Sequence, residues 1–316
     1  MKRTILSLLS LPFLWFGCND DKDTIAPFEQ EDFNWFVLED SQDEIDHLRY
    51  EIFRATGVPI YYTDTIYKQF RGIDAYGDSV IHYEKLTPYY SITSSTPSYM
   101  YYTFSKNRDD IRNAIELLKS DVFPLLIPEM YPRSFLLMES FILDPHLAEG
   151  QRRIVGSIYI TMSTTLINNI GQLKNLSSAQ RDSVKNEVVS TLWYPYLERN
   201  NLLTAFYAIS TNSTTLSPIY DIYVTPTSNP NYQEWTEYGF LGPRPARVYS
   251  QGTGTDGLLH IIYYTPTREV DAVAFIGAVL KMNEADFRNT YNGVPGYDLL
   301  LTKYQVMKAI IEKVRP

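Results

Sequence analysis

The chain of 316 residues has few side chains suited to metal or nucleophilic chemistry, with four histidines and one cysteine. A zinc site on a helix needs two histidines four residues apart, because this spacing puts both imidazoles on one face, and the glutamate beside them acts as general base. No two of the histidines have this spacing; they are His47, His82, His146 and His260. The sequence therefore predicts no metal site, and we expect no cofactor.

Two of the histidines lie near a carboxylate. His82 and Glu84 are on the same side of a predicted strand, where a cross-strand polar pair is commoner than a metal site. His146 and Glu149 fall in a stretch that we interpret as a plain loop. The run GTGTDG at residues 252–257 lacks the lysine and the strand-to-helix setting of a phosphate-binding loop. None of these groups is assigned a ligand.

Residues 185–201, KNEVVSTLWYPYLERNN, are predicted to form a buried helix around which the rest of the chain is arranged. Apolar residues recur at intervals of three and four, as on one face of an amphipathic helix; they are Val188, Val189, Leu192, Trp193, Tyr196 and Leu197. Ser177 and Gln180 have the spacing of a capping box, so the helix should begin near Ser178. Pro195 is expected to kink or end it, because proline lacks a backbone donor.

The N-terminus is predicted to be a lipoprotein signal peptide, residues 1–17. Lysine and arginine precede an apolar stretch, residues 4–16, that is too short to span a bilayer comfortably. Gly17 and then Cys18 follow, so Cys18 is the expected site of lipidation and the new N-terminus. A single-pass anchor or an ordinary signal peptide is the alternative interpretation.

Residues 18–32 are predicted to form a lipidated acidic tether. The run NDDKD at residues 19–23 resembles the signal that sends lipoproteins to the outer cell surface in Gram-negative bacteria with TonB-linked nutrient uptake. We therefore expect an outer-membrane lipoprotein that is held by its lipid anchor and exposed at the cell surface. A solvated linker on the periplasmic side is the alternative.

The charge balance argues against nucleic acid as a partner. The formal net charge is −9, and loss of Lys2 and Arg3 with the signal would make it about −11. Such a surface repels phosphate backbones and anionic headgroups. The single cysteine also leaves the mature protein without a disulfide or a catalytic thiol.

The remaining chain, residues 33–316, is long enough for one large α+β domain. We predict a part with a small mixed sheet up to about residue 176 and a helical part after it. Strand patterns occur at residues 58–66, 80–85, 134–143 and 154–162, and late helical patterns at residues 283–291 and 297–314.

The stretch between residues 210 and 242 is long, polar and without clear periodicity, and such loops are usually functional or mobile. Trp235 and Tyr238 in this loop are candidate ligand contacts, since aromatic rings offer flat surfaces to sugars and extended peptides.

In the order of its elements the chain resembles the substrate import-associated zinc metallohydrolase lipoproteins, which are zinc-binding metallopeptidases associated with TonB-linked uptake. The resemblance covers nearly the whole mature chain. Three segments carry it: VKNEVVSTLWYPYLERN at residues 184–200, YGFLGP at residues 238–243 and TPTREVDAVAF at residues 265–275. They are similar to the family's His-Glu-x-x-His helix, a Gly-Phe turn and an acidic helix of the site. The resemblance implies a zincin-like fold.

The catalytic residues of that family do not carry over. Ser190 and Tyr194 stand where the two histidine ligands would be, and Thr191 stands in place of the catalytic glutamate. Glu269 matches the acidic helix, although a small change of register would exchange it with Asp271. The resemblance thus implies a peptidase-like fold with a degenerate metal site and no catalytic residues.

Two functions follow as hypotheses. The first is a non-catalytic surface lipoprotein that serves a TonB-linked uptake system as a binding or accessory component, with a glycan or a peptide as ligand. The second is an active hydrolase of peptides or glycans that uses a non-zinc site. Its candidate catalytic residues would be Ser190, Glu269, Asp271 and His260, and their spacing does not form a recognisable triad. A purely structural or assembly role is a third reading.

Overall fold

A computed structural model of the protein describes residues 36–88, 100–143, 155–210, 219–221, 223–224, 235–242, 252–253, 259–260 and 263–315. Within these residues the fold is α+β, as predicted, with helices in the larger share and strands in small sheets. Phe36–Pro316 is one compact unit. No helix in the described ranges is long and apolar enough to cross a membrane.

Capping side chains set the start of most helices. The described residues contain seven α-helices: α1 (Glu44–Thr56), α2 (Arg108–Glu116), α3 (Ser178–Arg199), α4 (Thr204–Tyr207), α5 (Arg268–Lys281), α6 (Glu284–Tyr291) and α7 (Tyr297–Val314). Five of them follow a residue whose side chain accepts a backbone N–H of the first turn, namely Asp43, Asn107, Ser177, Thr267 and Asn283. Such caps satisfy donors that a helix leaves unpaired. The predicted capping box of Ser177 and Gln180 is present.

The central helix α3 continues past its internal proline. Trp193 is fully buried on this helix, and its indole N–H donates to the carbonyl oxygen of Leu125 at 3.0 Å. Of the two expected effects of Pro195, a kink or an end of the helix, the end is wrong, because α3 continues to Arg199. Pro195 is exposed, so water can bond the carbonyl group of Thr191 that the missing N–H leaves without its helical partner.

Most strands of the described residues have four residues or fewer. Those of the described residues are β1 (Ile60–Tyr61), β2 (Thr65–Ile73), β3 (Ser79–Lys85), β4 (Met100–Thr103), β5 (Phe135–Leu137), β6 (Ser140–Leu143), β7 (Ile158–Ile160), β8 (Thr165–Ile167), β9 (Tyr223–Val224), β10 (Gly252–Thr253), β11 (Leu259–His260) and β12 (Tyr263–Tyr264). One mixed sheet has the order β1-β5-β8-β7, in which β5 is parallel to both neighbours and β7 is antiparallel to β8. The remaining strands form antiparallel pairs.

The mixed sheet has a hydrophobic cluster on each face. In β5, Phe135 and Leu137 belong to the larger cluster and Leu136 to the smaller one. This division follows from strand geometry, since successive side chains point to opposite faces. The larger cluster also holds buried apolar residues of α3, α5 and α7, and α3 contacts the edge strand β7. A strand covered on both faces is apolar throughout, as β5 is.

Short strands also occur after residue 176, in the part that is mostly helical. The pairs β9–β12 and β10–β11 fall after that residue, so the later part of the chain is not purely helical. The apolar run LLHIIYY at residues 258–264 predicts a strand, and β11 and β12 both lie within it.

Candidate functional site

The two helices that the resemblance assigns to a zinc site, α3 and α5, pack directly against each other. Ser190 is 2% exposed and faces Gly277 of α5; a Cβ atom placed on Gly277 would lie 3.8 Å from Ser190 Oγ. The Ser190 hydroxyl donates to the carbonyl oxygen of Glu187 at 3.2 Å. The first position expected to match a histidine ligand is therefore closed within a helix–helix interface.

The other degenerate positions lie closer to the surface. Thr191 and Tyr194 are half-buried, and Glu269 is exposed on the first turn of α5. Burial raises the pKa of the Tyr194 phenol, and the charges of Glu198 and Glu269 raise it further. The structure thus brings Tyr194 and Glu269 into one electrostatic neighbourhood. Asp271, the alternative acidic position, is buried elsewhere.

An open cleft of about 270 Å³ lies where α3 ends and α5 begins. Its hydrogen-bonding and charged lining comes from Glu198, Asn201, Thr204, Tyr207 and Arg268. A concave site with a few convergent polar groups is the usual form of a small-ligand site. We call it the α3–α5 cleft.

A tight chain reversal builds one wall of the α3–α5 cleft. Asn201 adopts a left-handed conformation with φ of 55°, which turns the chain from the end of α3 into α4. Asparagine tolerates this conformation better than most residues. The reversal brings Tyr207 of α4 back to α3, where its hydroxyl donates to Glu198 Oε2 at 2.9 Å. Burial, together with this bond, raises the pKa of Tyr207.

The first residue of α5, Arg268, also lines the cleft. Its guanidinium carbon lies 5.1 Å from the ring centroid of Tyr207 and 6.0 Å from that of Tyr220. A guanidinium is held over aromatic faces by electrostatic attraction and stacking. The side chain is exposed, so its donors remain accessible from the cleft.

A buried ion pair lies one layer below the cleft. Lys303 Nζ is 2.5 Å from Asp271 Oδ2, and both side chains are 0% exposed. The Lys303 ammonium also donates to Ser210 Oγ at 2.9 Å, and the Tyr220 hydroxyl donates to Asp271 Oδ2 at 2.8 Å. The ring of Tyr220 lies 5.6 Å from that of Tyr207, so aromatic packing connects the pair to the cleft.

Aromatic rings enclose the ammonium of Lys303. Its Nζ lies 4.6 Å, 4.7 Å and 5.0 Å from the ring centroids of Phe206, Phe240 and Phe275. Burial lowers the pKa of Lys303 to about 8 in spite of the nearby carboxylate. Burial likewise raises the pKa of Asp271, and this outweighs its bonds to Lys303 and Tyr220.

Sequence reasoning missed this ion pair, although α7 carries a signal for it. The buried positions of α7 follow helical spacing and are Leu300, Lys303, Tyr304, Met307 and Ile311. A lysine inside an otherwise apolar stripe is rarely buried unless it has a partner. That irregularity in the pattern would have pointed to a paired, buried charge.

The predicted aromatic contacts lie on a short turn that packs on α7. Residues Trp235–Tyr238 form a 3₁₀ helix. Tyr238 is half-buried, and its carbonyl oxygen accepts a bond from Ser210 Oγ at 3.0 Å. Ser210 therefore links this turn to Lys303. The side chain of Trp235 lies outside the described residues.

The histidines do not gather into a site in the described part of the chain. His47 Nδ1 lies 2.6 Å from Asp40 Oδ1 on the surface, and the carboxylate raises the pKa of the imidazole. His82 Nε2 is 3.7 Å from Glu84 Oε2. No group of three or more potential metal-binding side chains occurs among the described residues. Outside them lie Cys18, His146 and Glu149, the signal and the tether, and the side chain of His260.

Comparison with known proteins adds no relative to this picture. No protein-family model matches the chain, and no curated protein and no solved structure is significantly similar to it. The α+β class is thus the level at which the fold is defined.

Proposed function

We propose that the protein is a non-catalytic, ligand-binding lipoprotein of the outer membrane, exposed at the cell surface and acting as an accessory component of a TonB-linked nutrient-uptake system. The lipid anchor at Cys18 would hold it at the membrane. The observation that carries the proposal is the closure of the α3–α5 interface around Ser190, beside a cleft that stays open.

The closed interface supports a lapsed peptidase site. A zinc peptidase needs an open coordination position for water or substrate beside its histidine ligands. Here the position of the first histidine ligand holds Ser190, which is 2% exposed and faces Gly277 of α5. The second, Tyr194, carries a phenol whose pKa is raised by burial, so it stays protonated at neutral pH and is a poor metal ligand.

The open cleft supports a binding role. Its polar groups are fixed in place by other side chains: Tyr207 bonds Glu198, and two tyrosine rings support Arg268. Pre-organised groups of this kind favour binding, because little side-chain entropy is lost when the ligand arrives. A peptide or a glycan is the ligand class that the resemblance to an uptake-associated family favours.

The buried position of Ser190 does not support the alternative hypothesis of a hydrolase. The Ser190 hydroxyl donates to a main-chain carbonyl oxygen inside the helix interface, and a serine nucleophile needs a base at hydrogen-bonding distance and access to substrate.

The test is the zinc content and peptidase activity of the full-length protein purified in detergent. We expect less than stoichiometric zinc after dialysis and no change in melting temperature when zinc is added. We also expect no chelator-sensitive cleavage of a peptide library. One tightly bound zinc per chain, or chelator-sensitive cleavage, would refute the proposal. Protease shaving of intact cells tests the location, since a surface lipoprotein is degraded while a periplasmic control survives.

A further inference from the structure

We propose that the α3–α5 cleft binds short peptides through their two charged ends, with Arg268 taking the terminal carboxylate and Glu198 taking the terminal ammonium. This inference rests on the proposed function and narrows its ligand class from peptide or glycan to a zwitterionic oligopeptide. The cleft presents one cationic and one anionic group to the same space, and both are oriented by neighbouring side chains.

The cationic wall suits a carboxylate. Arg268 is exposed, and the rings of Tyr207 and Tyr220 support its guanidinium at 5.1 Å and 6.0 Å. Cation–π attraction to the two rings holds the guanidinium in place, and its exposed donors remain accessible. A planar guanidinium binds a carboxylate through two parallel hydrogen bonds, which gives both strength and direction. No acidic side chain of the described residues forms an ion pair with Arg268 that would already use those donors.

The anionic wall suits an ammonium group. Glu198 is exposed at the end of α3, and the Tyr207 hydroxyl bonds only its Oε2 atom. The bond holds the carboxylate in one orientation, and Oε1 remains as an acceptor. A carboxylate accepts several hydrogen bonds, and an ammonium group donates three. Thr204 and Asn201 add neutral polar groups to the lining of the cleft.

The size and charge of the cleft favour a short zwitterion over a neutral sugar or a long polymer. A volume of about 270 Å³ is at the small end for ligand sites, so only a few residues fit. A neutral glycan would cover Arg268 and Glu198 without supplying charges to either, and buried charged groups left unpaired oppose binding. Opposite charges on the two walls likewise give no advantage to a polyanion or a polycation.

The experiment is calorimetric titration of the full-length protein in detergent with tri-alanine as the probe. N-acetylated tri-alanine, tri-alanine amide and maltotriose serve as comparison ligands. We expect free tri-alanine to bind at least about tenfold more tightly than either blocked peptide, since each block removes one charge-assisted interaction. Maltotriose should not compete. Equal binding of free and blocked peptides, or no binding of tri-alanine, would overturn the inference.

Two variants assign each end of the peptide. Arg268→Gln should lower the affinity for tri-alanine about tenfold and abolish the preference for the free carboxylate, while the preference for the free amine remains. Glu198→Gln should do the reverse. Arg315→Gln and Glu312→Gln, at the exposed end of α7, are the matched controls and should bind as the wild type does. Loss of both preferences in either variant would contradict the assignment.

The outcomes separate this inference from the function on which it rests. Binding of maltotriose that Arg268→Gln weakens would refute the peptide assignment and leave a binding lipoprotein in place. Stoichiometric zinc with chelator-sensitive cleavage of tri-alanine would instead refute the proposed non-catalytic function. Melting temperatures of all variants, measured first, ensure that only folded proteins are compared.

Discussion

Lys303 Nζ lies 2.5 Å from Asp271 Oδ2 with both side chains fully excluded from solvent, which joins α7 to α5 through a buried ion pair. The same ammonium reaches Ser210, whose hydroxyl bonds the turn at Tyr238. Lys303 Nζ thus connects α7 to α5 and to Ser210, at the start of the long polar loop. Burying the pair costs free energy, because burial favours the neutral form of each group. It raises the pKa of Asp271 and lowers that of Lys303.

Removing one partner should be more damaging than removing both. Lys303→Met leaves the Asp271 carboxylate buried without its cation, and we expect a loss of about 3–5 kcal/mol in the free energy of unfolding. Adding Asp271→Asn removes the stranded charge and keeps an acceptor for Tyr220, so the double variant should lose only about 1–2 kcal/mol. Urea unfolding followed by circular dichroism measures both. A double variant less stable than Lys303→Met alone would contradict this account.

The ion pair also predicts a rise of stability in alkaline solution. Burial lowers the pKa of Lys303 from 10.5 to about 8, so between these values the unfolded chain holds the proton that the folded protein has lost. Stability therefore increases with pH in this window, whereas below about pH 8 the cost of the buried charge is fully present. From pH 7 to 9.5 the gain should be about 2 kcal/mol.

The reference for this measurement is the variant Lys303→Met/Asp271→Asn, which has no titrating group at either position. The surface tyrosines and lysines are common to both proteins, so the difference between their pH profiles isolates the ion pair. Unfolding is measured in urea at pH 7, 8, 9 and 9.5. Parallel profiles would show that the lysine keeps its ordinary pKa in the folded protein.

Local sequence signals predicted the late helices well. The helical pattern predicts a helix at residues 297–314, and α7 spans Tyr297–Val314. The segment at residues 265–275, which resembles an acidic helix, contains the start of α5, and Thr267 is its cap. Such features depend on neighbours within a few residues, which the sequence shows directly.

The candidate site was not predictable in the same way. The α3–α5 cleft depends on a chain reversal at Asn201 and on Arg268, which is far from Glu198 in sequence. The sequence offers Trp235 and Tyr238 as ligand contacts; Tyr238 is half-buried, and its contact with a ligand stays a prediction. Exposure and proximity are set by tertiary packing, and no periodicity reports them.

A close approach of two backbone segments should make one glycine irreplaceable. Gly296 has φ of 76°, and a Cβ atom there would overlap the carbonyl oxygen of Thr236 in the turn Trp235–Tyr238. Gly296→Ala should therefore lower the free energy of unfolding by about 3 kcal/mol or more. Gly293 is the matched control: its φ is 78°, yet nothing lies within 4 Å of the added atom.

The control separates the clash from the strained backbone. Gly293→Ala should cost only about 1–2 kcal/mol, since it imposes the left-handed conformation on alanine without an overlap. Urea unfolding of both variants gives the difference directly. Equal losses would mean that the turn does not rest on α7 at this point.

Restoring the metal motif should fail in this fold. The triple change Ser190→His, Thr191→Glu and Tyr194→His writes His-Glu-x-x-His into α3, but residue 190 is 2% exposed and faces Gly277. An imidazole there overfills the α3–α5 interface and buries a polar ring, so we expect a loss of at least about 1–3 kcal/mol and no zinc-induced rise in melting temperature. Tyr194→His alone, at a half-buried position, should cost less. If the triple variant instead bound one zinc per chain and regained stability with it, the interface would be able to open, and the degenerate site would retain the geometry of a metal centre.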